Sequence, residues 1–286
     1  MSNSVTSERF CISVDTLSLI RKYADSTFVI KYGGSAMKSK SLQLNVIYDI
    51  AFLYSLGIKI ILVHGGGYLI DNWLMKLNIK PKFERGLRVT DANTMEVVEM
   101  VLSGYINKNL VSLLNQHDIP AVGLSGKDAK LVTAAPLVQN FNDFTGKVES
   151  INSKVLSTLL DNSFVPVVAS VASCLQGQTY NINADTLAGS IASYTKADKL
   201  ILITDTPGIL SDINDNSSLI KQMDLNKIYD LKSTGVITDG MIPKIDCCIN
   251  ALNNDVSAVH IIDGRARHAL LYELLTNDRL GSMLVA

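Results

Sequence analysis

The chain has 286 residues, with 26 basic and 27 acidic side chains and a formal net charge of −1 at pH 7. Apolar residues make up 47% and charged residues 19%, enough for a buried core, which excludes global disorder. The balanced charge gives no electrostatic reason to expect a nucleic-acid or anionic-membrane partner, and the length suits one large α/β domain or two lobes.

Along the chain, short β-branched runs alternate with helical patterns, which predicts βαβ units and a mostly parallel sheet. Residues 14–24 read as a short amphipathic helix with Leu17, Ile20 and Tyr23 on one face, ahead of the first core strand at 28–32 and its Gly33-Gly34 end. A helix over 42–56, closed by Gly57, leads to a strand at 59–63 that ends in Gly65-Gly66-Gly67. The next helix covers 68–77. A polar segment with Gly86-Leu87-Arg88-Val89-Thr90 follows, and Asp91 then caps a helix running to about Ser103. A separate helix at 108–117 precedes a strand at 121–124. Strands or hairpins are expected at 131–137 and 146–150, a helix at 154–161 and a buried strand at 164–169. A small-residue helix at 185–195 is followed by a strand at 200–203 and a turn at 204–208. The pattern closes with a helix at 241–253, a strand at 258–262 and a helix at 268–275.

Cys11, Cys174, Cys247 and Cys248 form neither a CxxC pair nor the dense spacing of a secreted scaffold, so they read as free thiols in a reducing compartment. His64, His117, His260 and His268 are too scattered for a zinc motif. No apolar stretch approaches the roughly 20 residues needed to span a bilayer. The Ser-rich start is followed by no apolar run, so neither a signal peptide nor a transit peptide is read there. The expectation is a soluble intracellular protein.

Two apolar strands ending in glycine clusters form the strongest local feature. In open α/β sheets ligands bind beyond the carboxyl ends of the strands. Without a Cβ, successive backbone N–H groups can converge on phosphate or carboxylate oxygens, and a following helix N-terminus favours an anion. The dinucleotide fingerprint fails, because Ile70 stands where its third glycine belongs. Ser125-Gly126-Lys127-Asp128 lacks the rest of a P-loop. Lys31, inside an apolar strand, must meet an anion or escape to solvent, and Lys244 at a Gly/Pro-shaped helix start has the same choice. Asn181, Asn183 and Asp185 alternate, so in an extended segment they share one face; alone, Asp185 reads as an N-cap. Arg88 could hold a carboxylate bidentately or be an ordinary surface arginine.

Together, FVIKYGGSAM (28–37), ILVHGGG (61–67), RGLRVTD (85–91), NINADTLAG (181–189), LITDTPGIL (202–210) and GMIPKI (240–245) resemble the amino-acid kinase family. Their order and the wording of the substrate loop are most similar to the branch that phosphorylates N-acetyl-L-glutamate. The resemblance implies a three-layer αβα sandwich with a central, mainly parallel sheet and two lobes. It divides the chain into an oligomerisation helix at 1–26, an acetylglutamate-binding lobe at 27–195 and an ATP-binding lobe at 196–286. It implies that Lys31 and Lys244 stabilise the transition state and that Asp185 organises them. Gly66, Gly67, Arg88, Asn181 and Asn183 would contact N-acetyl-L-glutamate. Gly33, Gly34, Thr204, Asp205, Gly240 and Met241 would serve ATP, whose phosphates would hold Mg²⁺ with no protein metal site.

The resemblance further implies arginine as a feedback inhibitor, read by Tyr23 and the segment 260–284. The usual pattern is altered there at Asn277, Asp278 and Arg279. It also implies a hexamer built as a trimer of dimers, the PII signalling protein as a partner, and a bacterial-type cytoplasm or plastid stroma as location. A sibling kinase for aspartate, glutamate or carbamate and a non-catalytic nucleotide-binding regulator are the alternatives. A dehydrogenase is disfavoured by the incomplete glycine fingerprint.

Overall fold

Residue parity along the core strands sorts the buried side chains into two groups. Phe28, Ile30 and Tyr32 face one way with Ile60, Leu62, Val167 and Ile201, whereas Val29, Ile61, Val63, Val168 and Leu200 face the other. This is the two-residue period of a pleated strand. A sheet apolar on both faces must be covered on both. The computed structural model describes residues 14–286 except Arg85, Gln139, Phe141, Thr238 and Asp239. Cys11 and the start of the expected oligomerisation segment lie outside the described residues.

Helix α1 (Val14–Tyr23) leads into β1 (Thr27–Tyr32), α2 (Lys40–Ser55), β2 (Lys59–His64) and α3 (Gly67–Lys76). A hairpin of β3 (Lys82–Glu84) and β4 (Leu87–Val89) precedes one unbroken helical run: α4 (Ala92–Glu99), a π turn at Met100–Ile106, and α5 (Asn107–Asn115). Then come β5 (Ala121–Ser125), β6 (Val132–Pro136), β7 (Thr145–Ile151), α6 (Lys154–Asp161) and β8 (Val165–Ala169). They are followed by β9 (Val171–Ser173), β10 (Thr179–Ile182), α7 (Ala184–Thr195) and β11 (Lys199–Thr204). The remainder is β12 (Gln222–Asp224), α8 (Leu225–Ser233), α9 (Met241–Asn253), β13 (Ala258–Asp263), α10 (Ala269–Leu275) and β14 (Ser282–Val285).

The central sheet has the order β12-β14-β13-β11-β1-β2-β8-β5. From β13 to β5 every pairing is parallel; β14 runs antiparallel to β13, with β12 parallel to β14 at the edge. Helices cover both faces, so the mainly parallel αβα sandwich is the architecture. Strands β6, β7, β9 and β10 close into a small barrel beside it. No helix among the described residues is long and apolar enough to cross a membrane.

Three features differ from the sequence expectation. The break expected between 103 and 108 does not exist, because the π turn carries the chain through Ser103-Gly104 while burying Val101, Leu102 and Ile106. The β3–β4 hairpin, β9, β10, β12, α8 and β14 were not anticipated as elements; apart from α8, they are strands of only three or four residues that carry almost no periodic signal. The N-cap of α7 is Asn183, with Asp185 inside the first turn.

Candidate active site

The site begins with strand parity. Lys31 follows Ile30 on β1 and so shares the face of Val29, the face covered by α7 and α9. Those helices pack closely because Gly189 of α7 leaves room for the Cys247 side chain; a Cβ at Gly189 would collide with the sulfur. Asp185 sits in the first turn of α7 and Lys244 in the first turn of α9. The carboxylate of Asp185 therefore lies between two ammonium groups, with Oδ1 3.1 Å from Lys31 Nζ and Oδ2 2.6 Å from Lys244 Nζ. Burial alone would raise the pKa of Asp185, but the two lysines outweigh it and hold the acid well below the usual carboxylate range. The nearby Cys247 thiol donates to the Asp185 carbonyl at 2.9 Å, and burial, helped by the Asp185 charge, pushes its pKa up to about 12. It is a packed thiol and no nucleophile.

Asn183 frees Asp185 for this role. Its Oδ1 accepts from the N–H groups of Asp185 and Thr186 at 2.9 and 3.0 Å, satisfying donors that the helix leaves open. Asn183 thus lines the cavity with its side-chain oxygen already engaged in capping. Asn181, two residues earlier on β10, donates from Nδ2 to Thr90 Oγ1 at 3.1 Å and also faces the cavity.

That cavity, of about 220 Å³, is walled by Gly65, Gly66 and Gly67, by Arg88, Asn181 and Lys31, and by the apolar Ile70, Phe83 and Leu102. Arg88 is only 8% exposed, which removes the surface-arginine alternative. Its Nη1 donates to Asp71 Oδ1 at 2.7 Å, its Nη2 to the Gly67 carbonyl at 3.3 Å, and its guanidinium lies 4.7 Å from the Phe83 ring centroid. Gly66 must be glycine for packing reasons, because a Cβ there would run into Ile106 and Leu102 of the π turn. Sequence reasoning missed Asp71, Phe83 and Thr145. Asp71 had a usable signal, lying one helical turn beyond Gly67 on a helix that opens from a glycine cluster.

A second cavity of about 340 Å³ shares Gly34, Gly66, Gly67 and Arg88 with the first and extends the groove to Asp205. A third, of about 370 Å³, takes over at Asp205 and is lined by Gly208, Ile209, Met241 and Arg265. Gly34 adopts φ +68°, and a Cβ at that position would strike the Asp205 carboxylate. Thr204 is buried at the end of β11, beneath the groove, and Gly240 lies beside the β3–β4 turn at Gly86. Neither lines the third cavity, whereas Asp205 and Met241 do. Lys127 of the half P-loop is tied to Glu99 at 2.7 Å and takes no part in the groove. Among the described residues no group of three or more His, Cys, Asp or Glu side chains could hold a metal ion.

The result is a continuous groove along the carboxyl edge of a parallel sheet. It has Arg88 at one end and two glycine loops, and Lys31 lines it with Asp185 and Lys244 paired behind. The chain belongs to the amino acid kinase family, whose model matches residues 26–263. It is 55% identical over 279 residues to the acetylglutamate kinase of Gracilaria tenuistipitata var. liui, spanning 97% of this chain and 98% of that one. It is 50% identical over 280 residues to the acetylglutamate kinase of Acaryochloris marina, covering 98% and 99% respectively. Among solved structures, N-acetylglutamate synthase from Neisseria gonorrhoeae shares the fold with a TM-score of 0.83 at 24% identity, covering 95% of this chain and 62% of that one.

Proposed function

We infer that the chain transfers the γ-phosphoryl group of ATP to the side-chain carboxylate of N-acetyl-L-glutamate, giving N-acetylglutamyl 5-phosphate, a step of arginine biosynthesis. The observation that carries this reading is the Lys31–Asp185–Lys244 row, whose Lys31 lines the Arg88 cavity. Arg88, Asn181 and the Gly66-Gly67 loop hold the acceptor, and Gly33-Gly34, Asp205 and Met241 take the nucleotide. Residues 27–195 supply the acceptor lobe and 196–286 the nucleotide lobe.

The acceptor carboxylate, with a pKa of about 4.3, is already ionised at pH 7 and needs no general base. One of its oxygens attacks the γ-phosphorus, and the bond from that phosphorus to the bridging oxygen breaks and leaves ADP. The barrier lies in bringing an anion onto a polyanion, so catalysis consists of positioning and charge neutralisation. Lys31 and Lys244 face the transferred group from two sides, and Asp185 keeps both ammonium groups aimed without a competing proton. Mg²⁺, when bound with ATP, would supply further neutralisation of the phosphate oxygens; since no cluster of three ligating side chains stands among the described residues, the ion would arrive on the nucleotide. The deciding assay measures ATP consumption with N-acetyl-L-glutamate against free glutamate, aspartate and carbamate. Turnover confined to N-acetyl-L-glutamate is expected, and equal turnover with free glutamate would remove the reading.

A second cluster supports regulation by arginine. Lys199 Nζ lies 5.1 Å from the Tyr23 ring and 3.1 Å from His260 Nε2, whose Nδ1 pairs with Glu273 at 2.7 Å. Burial, then repulsion from Lys22 and Arg279, pushes the Lys199 pKa down to about 8. Helix α1 is tied to the C-terminal segment by Thr16 Oγ1 to the Leu275 carbonyl at 3.0 Å and by Asn277 Nδ2 to Asp15 Oδ2 at 3.2 Å. An effector bound between α1 and this segment would act on an oligomer, a trimer of dimers, and PII would be a further partner in a plastid stroma or bacterial cytoplasm. Millimolar arginine is expected to slow the wild type, and Tyr23→Ala to lose that inhibition with basal turnover retained; initial rates with and without arginine check both.

A further inference from the structure

His64 is a fully buried titratable group that the phosphoryl transfer does not use. It ends β2 immediately before Gly65-Gly66-Gly67, and both of its ring nitrogens are engaged. The hydrogen-bond geometry around Asn107 assigns the proton. Asn107 Nδ2 lies 2.8 Å from the Val167 carbonyl, 3.3 Å from the Leu124 carbonyl and 3.1 Å from His64 Nε2. Carbonyl oxygens demand hydrogens, so the amide nitrogen, not its oxygen, faces this cluster; its two hydrogens serve the shorter contacts, to Val167 and His64, and the longest one, to Leu124, is shared. An amide nitrogen accepts no hydrogen bond, which makes His64 Nε2 the acceptor and leaves the ring proton on Nδ1. That proton points at the Gly65 carbonyl, 3.1 Å away. Burial pushes the His64 pKa down to about 4, so the ring stays neutral at working pH.

The Gly65 peptide is therefore clamped from both sides. Its N–H donates to the Tyr32 carbonyl of β1 at 3.2 Å, and its carbonyl accepts from His64. The next two amides, Gly66 and Gly67, belong to the open start of α3, whose N–H groups lack intrahelical acceptors. Asn107 is the first residue after the π turn, and the same turn presents Leu102 and Ile106 against Gly66. π turns widen the helix locally and are frequent at functional sites.

We propose that Asn107 and His64 are positioning residues for the acceptor-binding loop: the π turn delivers Asn107 to the ring, Asn107 fixes the Nδ1–H tautomer, and that proton sets the Gly65 peptide ahead of Gly66 and Gly67. This deepens the functional reading above and rests on it.

The test has one spectroscopic and one kinetic arm. Imidazole ¹⁵N NMR on the wild type, with His64 assigned by comparison with a His64→Gln sample, reports the tautomer; protonation at Nδ1 is expected, and protonation at Nε2 overturns the proposal. In kinetics, His64→Asn puts an amide donor at the reach of Nδ1, whereas His64→Gln retains a polar group only at the reach of Nε2. His64→Gln is expected to raise KM for N-acetyl-L-glutamate about tenfold while KM for ATP stays within about twofold, and His64→Asn to recover most of the loss. Equal rises in both KM values, or no recovery in His64→Asn, would overturn it. Thermal unfolding of each variant identifies any that fails to fold, and then the wild-type tautomer alone decides. If the wild type does not turn over N-acetyl-L-glutamate, the functional reading falls by itself, and the tautomer still decides whether His64 clamps the Gly65 peptide.

Discussion

Lys31→Ala is expected to fold normally and to lose at least about 10²–10³ of the turnover at saturating substrates. The fold should survive because Lys31 stands at the end of β1, where its side chain supports no core packing; its neighbours Val29, Ile30 and Tyr32 fill the core. Turnover should not survive, because the γ-phosphoryl group would lose one of two fixed positive charges in a site screened from water. Removal of the ammonium also leaves Asp185 paired to Lys244 alone, so one carboxylate oxygen turns from counter-charge into repulsion of the phosphates. Circular dichroism and thermal unfolding check the fold, and initial rates with varied ATP and acceptor check the chemistry. Unchanged turnover would remove Lys31 from the mechanism.

Asp185→Asn is expected to cut turnover by about 10²-fold and also to destabilise the protein, by about 3 kcal/mol. The amide keeps the shape but leaves two nearly buried ammonium groups facing each other without a counter-charge. The pH dependence follows from the direction of the shift. Asp185 has its folded pKa held below the unfolded value of about 3.9, so its stabilisation is fully present above about pH 4 and is lost as pH falls through the folded value. The wild type should therefore exceed Asp185→Asn in stability at pH 5 to 7, and the gap should close in strong acid, where a protonated carboxyl resembles the amide. Denaturant unfolding at several pH values measures this; a gap that stays constant into acid would contradict the charge argument.

The parts of the fold that were legible in the sequence are those whose signal is local. β1, β2, β8, β11 and β13 are apolar β-branched runs, and α9 has the apolar spacing of a helix. Lys31 stood out because a charge within such a run has to be explained. The alternation of Asn181, Asn183 and Asp185 drew attention to the right segment but gave the cap to Asp185; Asn183 is two positions earlier because the extended stretch ends there. Asn107 was not legible, and the signal at Asp71 did not reveal its partner. Asp71 reads as the solvated face of a predicted helix and Asn107 as part of a break between two helices, and only the tertiary arrangement brings Asp71 to Arg88 and Asn107 to His64. The π turn was hidden for a related reason: Ser103-Gly104 has the composition of a helix end, and the chain passes through it because Leu102 and Ile106 have buried sites to fill.

The parity of β1 joins two properties usually considered apart. A slip of one residue in its pairing with β2 and β11 would exchange the faces of every side chain on the strand. It would drive Phe28, Ile30 and Tyr32 into the layer of α7 and α9 and carry the ammonium group to the opposite layer. The alignment that seats three large apolar side chains is thus the same one that brings Lys31 to Asp185. A misregistered molecule would be loosely packed and inert together, so folding accuracy and chemical competence are selected by a single alignment.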